Sequence, residues 1–278
     1  SEMCIRDRLL KTKKRNMKKT KLAVIFAALV SVLGFTSCLD SEGSSNYPTF
    51  QAAVTITGDK LLGYTFYCDA GENIKLRPTT ESVANLNLDG VKRAVIAFDL
   101  TEDQSDVTQL QPNTTYTIVV NGAYSYSIPT YTMAVDTLST QYQTAGNDSI
   151  ALKGKKISSA NAATGGFYVK NGYMTFTPTF SIGNAPLYFG VYYDGQKDVN
   201  TAEGSLNMNL YFNNSLESQM GSSMTYVISV RMPYELYGQY MQSGKDSIDV
   251  TLNLNSSSSQ EPLKCRMAVS DFMTPMGY

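Results

Sequence analysis

Val91-Lys-Arg-Ala-Val-Ile-Ala-Phe98 follows directly on the turn dipeptide Asp89-Gly90. A run rich in β-branched and apolar residues, bounded by a turn, is typical of a buried strand. Similar runs occupy residues 64–68, 116–120, 173–177, 187–193, 206–212, 226–230 and 248–254, and residues 263–269 would return to the last of them as a hairpin. Their spacing is that of barrels and sandwiches, so the sequence predicts an all-β fold.

Three further turn dipeptides, Asn121-Gly122, Asn171-Gly172 and Asp194-Gly195, join or end such runs. Asn-Gly and Asp-Gly accept positive φ at both central positions of a type I′ turn, whose twist matches that of the strands it joins. Helix is scarce, because only residues 235–241 fit one short helix and residues 101–106 read as a loop. These features predict a fold rich in hairpins.

The strand runs fall into two groups. Residues 48–137 hold about five plausible strands, which suits a small β-barrel. Residues 148–278 hold about seven, which suits a β-sandwich. Residues 138–147 are polar and weakly patterned. The sequence therefore predicts a barrel domain, a linker and a sandwich domain, in that order.

Residues 1–37 carry the pattern of a secretory signal peptide. Residues 1–8 resemble a translated sequencing-library adapter, so we expect extra adapter-derived residues at the start and a natural start at Met17. Lysines follow Met17, and an apolar stretch occupies residues 22–33. A bilayer core requires about 20 apolar residues, so this stretch predicts a removable leader and not a membrane-spanning helix.

Cys38 stands directly after the leader and a small residue, an arrangement that resembles a bacterial lipobox. In such signals the cysteine thiol receives diacylglycerol and the leader is cut just before it. Residues 38–47 are rich in Ser, Gly and Asn, which predicts a flexible tether. Asp40 and Glu42 within it resemble an acidic surface-export signal. We therefore predict a protein that is lipidated at Cys38 and attached to a membrane by its acyl chains.

Composition excludes several classes of function. The chain contains 0 His, which excludes Ser-His-Asp and Cys-His nucleophile systems and histidine-ligated metal sites. Residues 1–37 hold nine Lys/Arg and two Asp/Glu, which leaves 14 basic and 22 acidic residues, a net charge of −8, on the remaining 241 residues. An acidic chain without a basic stripe does not suit nucleic acid. No metal, cofactor or catalytic residue is predicted, and we expect the protein not to be an enzyme.

Other candidate groups have plain structural interpretations. Cys68 and Cys265 are expected to be separate buried thiols, although an oxidising compartment permits a disulfide and the sequence leaves their pairing open. Tyr234, Tyr237 and Tyr240 have helical spacing and would form an exposed aromatic patch if they share the outer face of a helix. The acidic residues between 99 and 106 predict a solvated turn, with a calcium site as the alternative.

Asp136-Thr137-Leu138, Asp148-Ser149-Ile150 and Asp246-Ser247-Ile248 resemble the Asp-Ser/Thr-apolar O-glycosylation sites of exported Bacteroidota proteins. Thr137, Ser149 and Ser247 are therefore candidate modified residues. The alternative is that Asp or Ser caps a turn before a strand in each of these places.

The order of features resembles the NigD-like lipoproteins of Bacteroidota. The resemblance rests on the leader with residues 37–40, on the turn and strand at 89–96, on residues 147–150 and on the aromatic hairpin at 167–176. It implies an N-terminal OB-like barrel, a C-terminal β-sandwich and no established enzymatic activity. The chain departs from the family after residues 210–212, where Asn213-Asn214-Ser215 stand in place of the family's Arg, His and Asn.

The sequence thus predicts a non-catalytic lipoprotein of the cell envelope, on the outer membrane and with possible surface exposure. Its expected partners are the membrane, through the lipid anchor, and a protein or glycan, with no nucleic acid. The alternative is a fimbrillin-like adhesin or pilus subunit that polymerises by strand exchange after cleavage at Arg or Lys. No Arg or Lys occurs between Cys38 and Lys60, which counts against that alternative.

Overall fold

The computed structural model describes residues 48–135, 159–160, 166–182, 188–213, 222–225, 227–254 and 261–276. The strands of the first part are β1 Phe50–Asp59, β2 Gly63–Cys68, β3 Lys75–Pro78, β4 Arg93–Leu100 and β5 Thr115–Ser127. Those that follow are β6 Thr130–Thr132, β7 Ala134–Val135, β8 Ser159–Ala160, β9 Tyr168–Lys170, β10 Tyr173–Phe176, β11 Pro178–Ile182, β12 Tyr188–Tyr193, β13 Val199–Asn200, β14 Ser205–Asn213, β15 Ser222–Thr225, β16 Ile228–Arg231, β17 Ser247–Asn253 and β18 Leu263–Ala268. The helices are α1 Thr80–Val83 and α2 Glu235–Gln242, with 3-10 turns at Glu102–Gln104 and Val269–Phe272.

The first five strands close into a barrel in the order β1-β2-β3-β5-β4. Every pair is antiparallel except β3 with β5, and β1 closes the ring by pairing with both β2 and β4. Alternate residues of β1 point inward because side chains on a strand have a period of two. The barrel core contains Val54, Phe66, Leu76, Phe98 and Ile118. The predicted small barrel is confirmed.

Asn121-Gly122 does not form the hairpin turn that the sequence predicts. It lies inside β5, where the register against β4 shifts between Val95 and Ala97. The Ser125 hydroxyl donates to the Asn121 carbonyl at 2.7 Å and its oxygen accepts the N–H of Ala97 at 3.0 Å, so the extra residues bulge out of the ladder. A small barrel closes only if a long strand bends, and a bulge provides that bend.

The later strands form three sheets. Four strands follow the order β6-β16-β10-β9, three the order β15-β11-β8, and six form β18-β17-β14-β12-β7 with β13 paired to β14. One apolar core lies between the four-stranded and six-stranded sheets, with Met174 and Val230 from the first and Leu206 and Val250 from the second. This packing is the predicted sandwich. The predicted hairpin is also confirmed, because β17 and β18 pair antiparallel.

Two short strands link the barrel to the sandwich. The barrel strands end at Ser127, and β6 and β7 then pair in parallel with β16 and β12. These two strands lie ahead of the predicted boundary at residue 137, yet they belong to sheets built from later residues. The division into domains at 137 and 148 stays a prediction, since residues 136–158 lie outside the described part.

The predicted short helix at 235–241 is α2. It covers the six-stranded sheet with Leu236 and Tyr240, which are buried in the sandwich core. Within the described ranges, no helix combines the length and apolar character that crossing a bilayer requires.

Candidate functional site

Arg93, the first residue of β4, is 0% exposed. Its two terminal nitrogens donate to Asp69 as a bidentate pair, with 2.6 Å from Nη1 to Oδ1. The other donors reach hydroxyls: Nη1 to Thr55 at 2.8 Å, Nη2 to Thr175 at 3.0 Å and Nε to Ser229 at 3.3 Å. A guanidinium has five N–H donors, and here each of them has an oxygen acceptor.

Asp69 follows the last residue of β2, and its side chain is 1% exposed. Besides the pair with Arg93, it accepts a hydrogen bond of 2.7 Å from the Tyr168 hydroxyl and one of 3.4 Å from the Asn171 amide. The same amide donates to the Cys68 carbonyl at 3.1 Å. The carboxylate is therefore surrounded by donors, which offsets the cost of its burial.

This cluster, which we call the Arg93 network, joins the two parts of the molecule. Arg93, Asp69 and Thr55 belong to the barrel. Thr175 and Ser229 belong to β10 and β16 of the four-stranded sheet, and their hydroxyls lie 2.8 Å apart. The Tyr173 ring also lies 5.5 Å from the guanidinium carbon, within the range of a cation–π contact.

Electrostatics keep Arg93 charged and the Tyr168 and Cys68 side chains neutral. Burial lowers the pKa of Arg93, but the Asp69 charge and its hydrogen bonds outweigh that effect, so the pKa lies above its ordinary value. Burial, together with the Asp69 charge, raises the pKa of Tyr168 well above its usual range, and the same two causes raise the pKa of Cys68. Groups that stay charged or neutral at all physiological pH values do not transfer protons. The arrangement is therefore suited to holding two modules together.

The predicted modification sites are only partly within the described residues. Cys38, Thr137 and Ser149 lie outside them. Ser247 begins β17 and is partly exposed, and its oxygen accepts a hydrogen bond of 3.0 Å from Nε of Arg266. The hydroxyl proton of Ser247 is not used by that bond.

The predicted patch of three tyrosines is wrong for Tyr240. Tyr234 is 59% exposed and stacks on Tyr237 with 6.4 Å between ring centroids. Tyr240 is 0% exposed, stacks on Phe272 and donates a hydrogen bond of 2.6 Å to the Ser205 carbonyl. Helical spacing places three residues near one another, but α2 lies against the sheet and turns the third of them inward.

The two cysteines and the acidic residues between 99 and 106 do not come together to form a site. The two thiols are free and separate, as predicted. Cys68 is buried in the barrel, as predicted, but Cys265 is only partly buried, at the edge of the sandwich core. Asp99 accepts the backbone N–H of Thr49 at 2.7 Å. Across the described part of the chain, no three Cys, Asp or Glu side chains are grouped to hold a metal ion.

Two surface features were not found from the sequence. Leu61 and Leu62, in the turn between β1 and β2, are 94% and 87% exposed. Tyr124, Tyr126 and Tyr131, on β5 and β6, are each more than two fifths exposed. The sequence does indicate the exposed leucines, because they are two apolar residues beside Gly63 in an otherwise polar turn. It does not indicate the exposed tyrosines, because their alternation is that of any half-buried strand.

No family model matches the chain, and none of the curated proteins matches it. Solved structures do. A candidate toxin-related protein from Parabacteroides distasonis matches with a TM-score of 0.52 and 14% identity, over 80% of this chain and 94% of its own. A candidate lipoprotein from Bacteroides fragilis matches with a TM-score of 0.50 and 12% identity, over 79% of this chain and 97% of its own.

The fold is one that Bacteroidota proteins share. A NigD-like immunity protein from Bacteroides caccae is also among the similar structures, at a TM-score of 0.44 and 14% identity over 80% of this chain and 94% of its own. At these identities the likeness concerns the fold. None of the three proteins is named as an enzyme.

Proposed function

We propose that the chain is a non-catalytic lipoprotein of the bacterial cell envelope, similar to NigD-like proteins, which binds a protein or glycan partner at the outer membrane. The attachment is supported by Cys38, which follows a leader and precedes a polar tether. The fold adds support, because a candidate lipoprotein is built in the same way.

The observation that carries the binding role is a set of tyrosines held outward on a rigid scaffold. Tyr126 is 52% exposed on a barrel strand, and Tyr234 is 59% exposed at the start of α2. Tyrosine offers a large apolar face and a polar tip at low conformational cost, which suits protein and glycan surfaces. Partial burial raises the pKa of Tyr126, so its hydroxyl stays protonated and can donate.

A glycan array and a pull-down from an outer-membrane fraction test the binding role. Tyr126→Ala and Tyr234→Ala each remove one exposed ring, and Val119→Ala is the matched control because Val119 is also exposed and apolar. We expect about a tenfold loss of affinity for at least one tyrosine variant and no change for the control. Unchanged binding by both variants would contradict the assignment of this surface.

Attachment is tested separately with Cys38→Ala. The variant should leave the membrane pellet and appear in the soluble fraction, because the acyl chains provide the anchor. Retention of the variant in the pellet would remove the anchoring argument. Proteolysis of intact cells would then report which side of the membrane the folded part faces.

Modification of Thr137, Ser149 and Ser247 stays part of the proposal. Intact mass before and after mild β-elimination should show the loss of glycan mass. An unmodified chain rules the idea out.

The fimbrillin-like alternative predicts strand exchange between subunits. Here β1 pairs on both sides and contributes Ala52, Val54 and Ile56 to the barrel core, so removing it would open the barrel. That arrangement does not favour donation of the first described strand. Ladders of the protein on cells that resist SDS would favour the alternative.

A further inference from the structure

The tip of the β1–β2 hairpin is the most exposed apolar feature among the described residues. Leu61 and Leu62 are adjacent, and solvent covers 94% and 87% of them. Single exposed leucines are ordinary on protein surfaces, but two neighbours that are almost wholly exposed require a reason. Their flanks are nearly neutral, with one Asp and one Lys at 59 and 60.

The tip is held in one conformation. Oδ1 of Asp59 accepts the backbone N–H groups of both Leu61 and Leu62 at 2.8 Å. Gly58 has a φ of 84°, and a Cβ added there would lie 2.1 Å from the Gly63 carbonyl oxygen. Since the turn is already ordered, burial of the leucines would cost little additional conformational entropy.

The hairpin also projects from the barrel. The last ladder pair of β1 with β4 is Thr55 with Arg93, and the last of β2 with β3 is Phe66 with Leu76. Ile56 still donates its N–H to the Lys92 carbonyl at 2.9 Å, and beyond it β1 and β2 pair only with each other, up to Asp59 with Gly63. Tyr64 still packs against the barrel core, so only the tip from Asp59 to Gly63 extends beyond it. At about 3.4 Å per residue, the end of the ladder lies about 10 Å past Ile56.

We propose that the Leu61–Leu62 tip inserts into the surface of a zwitterionic lipid bilayer and gives the protein a second point of membrane contact. The depth at which interfacial apolar groups lie, about 5–10 Å, matches the projection of the tip. The tip has no cluster of Lys or Arg, and the chain from Cys38 onward has a net charge of −8, so anionic lipid is disfavoured.

A lipid surface fits this tip better than a protein does. The tip is convex, so a protein partner would need an apolar pocket of matching shape, whereas acyl chains move around an inserted group. Two leucines alone bind a bilayer weakly, but an anchor at Cys38 would hold them close to it, which multiplies the effective affinity. The proposal depends on the proposed lipid anchor only because the anchor would keep the tip close to the bilayer.

The test supplies the anchor artificially. Residues 1–38 are replaced by a histidine tag, and the protein is held on vesicles of phosphatidylcholine and phosphatidylethanolamine that contain a nickel-chelating lipid. An environment-sensitive fluorophore is placed on Leu61→Cys in a Cys265→Ser background. Cys68 stays, because it is buried and its raised pKa keeps the thiol unreactive. Circular dichroism confirms that each variant has the same fold.

We expect a blue shift of emission at Leu61→Cys on vesicles, and quenching by nitroxides on the acyl chains. The control fluorophore on Ser105→Cys, an exposed polar position in the same barrel, should show neither. Adding Leu62→Asp should reduce the Leu61→Cys signal to the control level. Equal, water-like emission at both positions would overturn lipid insertion and leave a protein as the occupant. Because the tag replaces the native anchor, that result is independent of whether Cys38 is acylated in cells.

Discussion

Arg93 is stable in the interior because its five donors and its positive charge are all matched. A buried ion pair adds little compared with apolar residues of the same size, but removal of one partner leaves an uncompensated charge. In β4, residues 94, 96 and 98 face the barrel core, so the period of two turns Arg93 to the outside of the barrel. It is buried only because the four-stranded sheet covers it.

Arg93→Met should therefore destabilise the protein by about 3–5 kcal/mol, since Asp69 would remain as a buried carboxylate without a cation. Urea unfolding measures this, and Arg93→Met with Asp69→Leu should recover part of the loss. Arg266→Met is the matched control, because its pair with Asp249 is exposed and should contribute less than about 1 kcal/mol. A loss of stability below about 1 kcal/mol for Arg93→Met would contradict the importance of the Arg93 network.

Alkaline pH should weaken the fold. The pKa of Tyr168 is raised above its ordinary value of 10.0 and that of Cys68 above its ordinary value of 9.0, so the unfolded chain releases these protons first. Their stabilising contribution is complete below those values and decreases as the pH rises beyond them. Tyr168→Phe should cost about 1–2 kcal/mol near neutral pH, because Asp69 loses a donor. Its unfolding free energy should then decline less steeply than the wild type's between about pH 9 and pH 11; parallel declines would argue against this account.

At the scale of the element, the β9–β10 hairpin shows what a turn dipeptide predicts. Asn171 and Gly172 have φ angles of 52° and 82°, as the type I′ turn requires. The turn also contacts two later segments: Gly172 N–H donates to the Asp271 carbonyl at 2.8 Å, and the Gly172 carbonyl accepts the N–H of Met232, just after β16, at 2.9 Å. Asn171-Gly172 thus forms the hairpin turn and also makes the contact with Asp271 and Met232.

Gly172→Ala should cost more than Gly90→Ala, although both glycines have positive φ. A Cβ on Gly172 would lie 2.9 Å from the backbone nitrogen of Thr274, whereas one on Gly90 would meet open space. Gly90→Ala should lose only the cost of the left-handed conformation, about 1–2 kcal/mol. Gly172→Ala should lose clearly more stability, as measured by thermal unfolding. Equal losses of stability would show that the C-terminal segment moves to make room for the added Cβ.

At the scale of the whole molecule, two apolar cores share one polar interface. Besides the Arg93 network, the Tyr67 hydroxyl donates to the Met276 carbonyl at 3.1 Å, which ties the chain's later segment to the barrel. Interfaces between modules of one chain are usually more polar than cores, and their strength decides whether the modules unfold together.

Differential scanning calorimetry should therefore show one transition for the intact chain. Arg93→Met should split it into two, because the barrel and the sandwich keep their own cores when the connection is weakened. Arg266→Met should leave the single transition in place. Two transitions in the unchanged chain would mean that the interface does not couple the modules.

The sequence alone determined the all-β class, the separate barrel and sandwich, the short helix at 235 and the hairpins at 171 and 250–265. These depend on local signals, namely alternation and turn residues that tolerate positive φ. The bulge at Asn121, the inward turn of Tyr240, the burial of Arg93 and the projecting leucines were decided by the tertiary structure. Each of them depends on which distant surface covers a residue, and the period of a strand or helix says which residues share a face but not what that face meets.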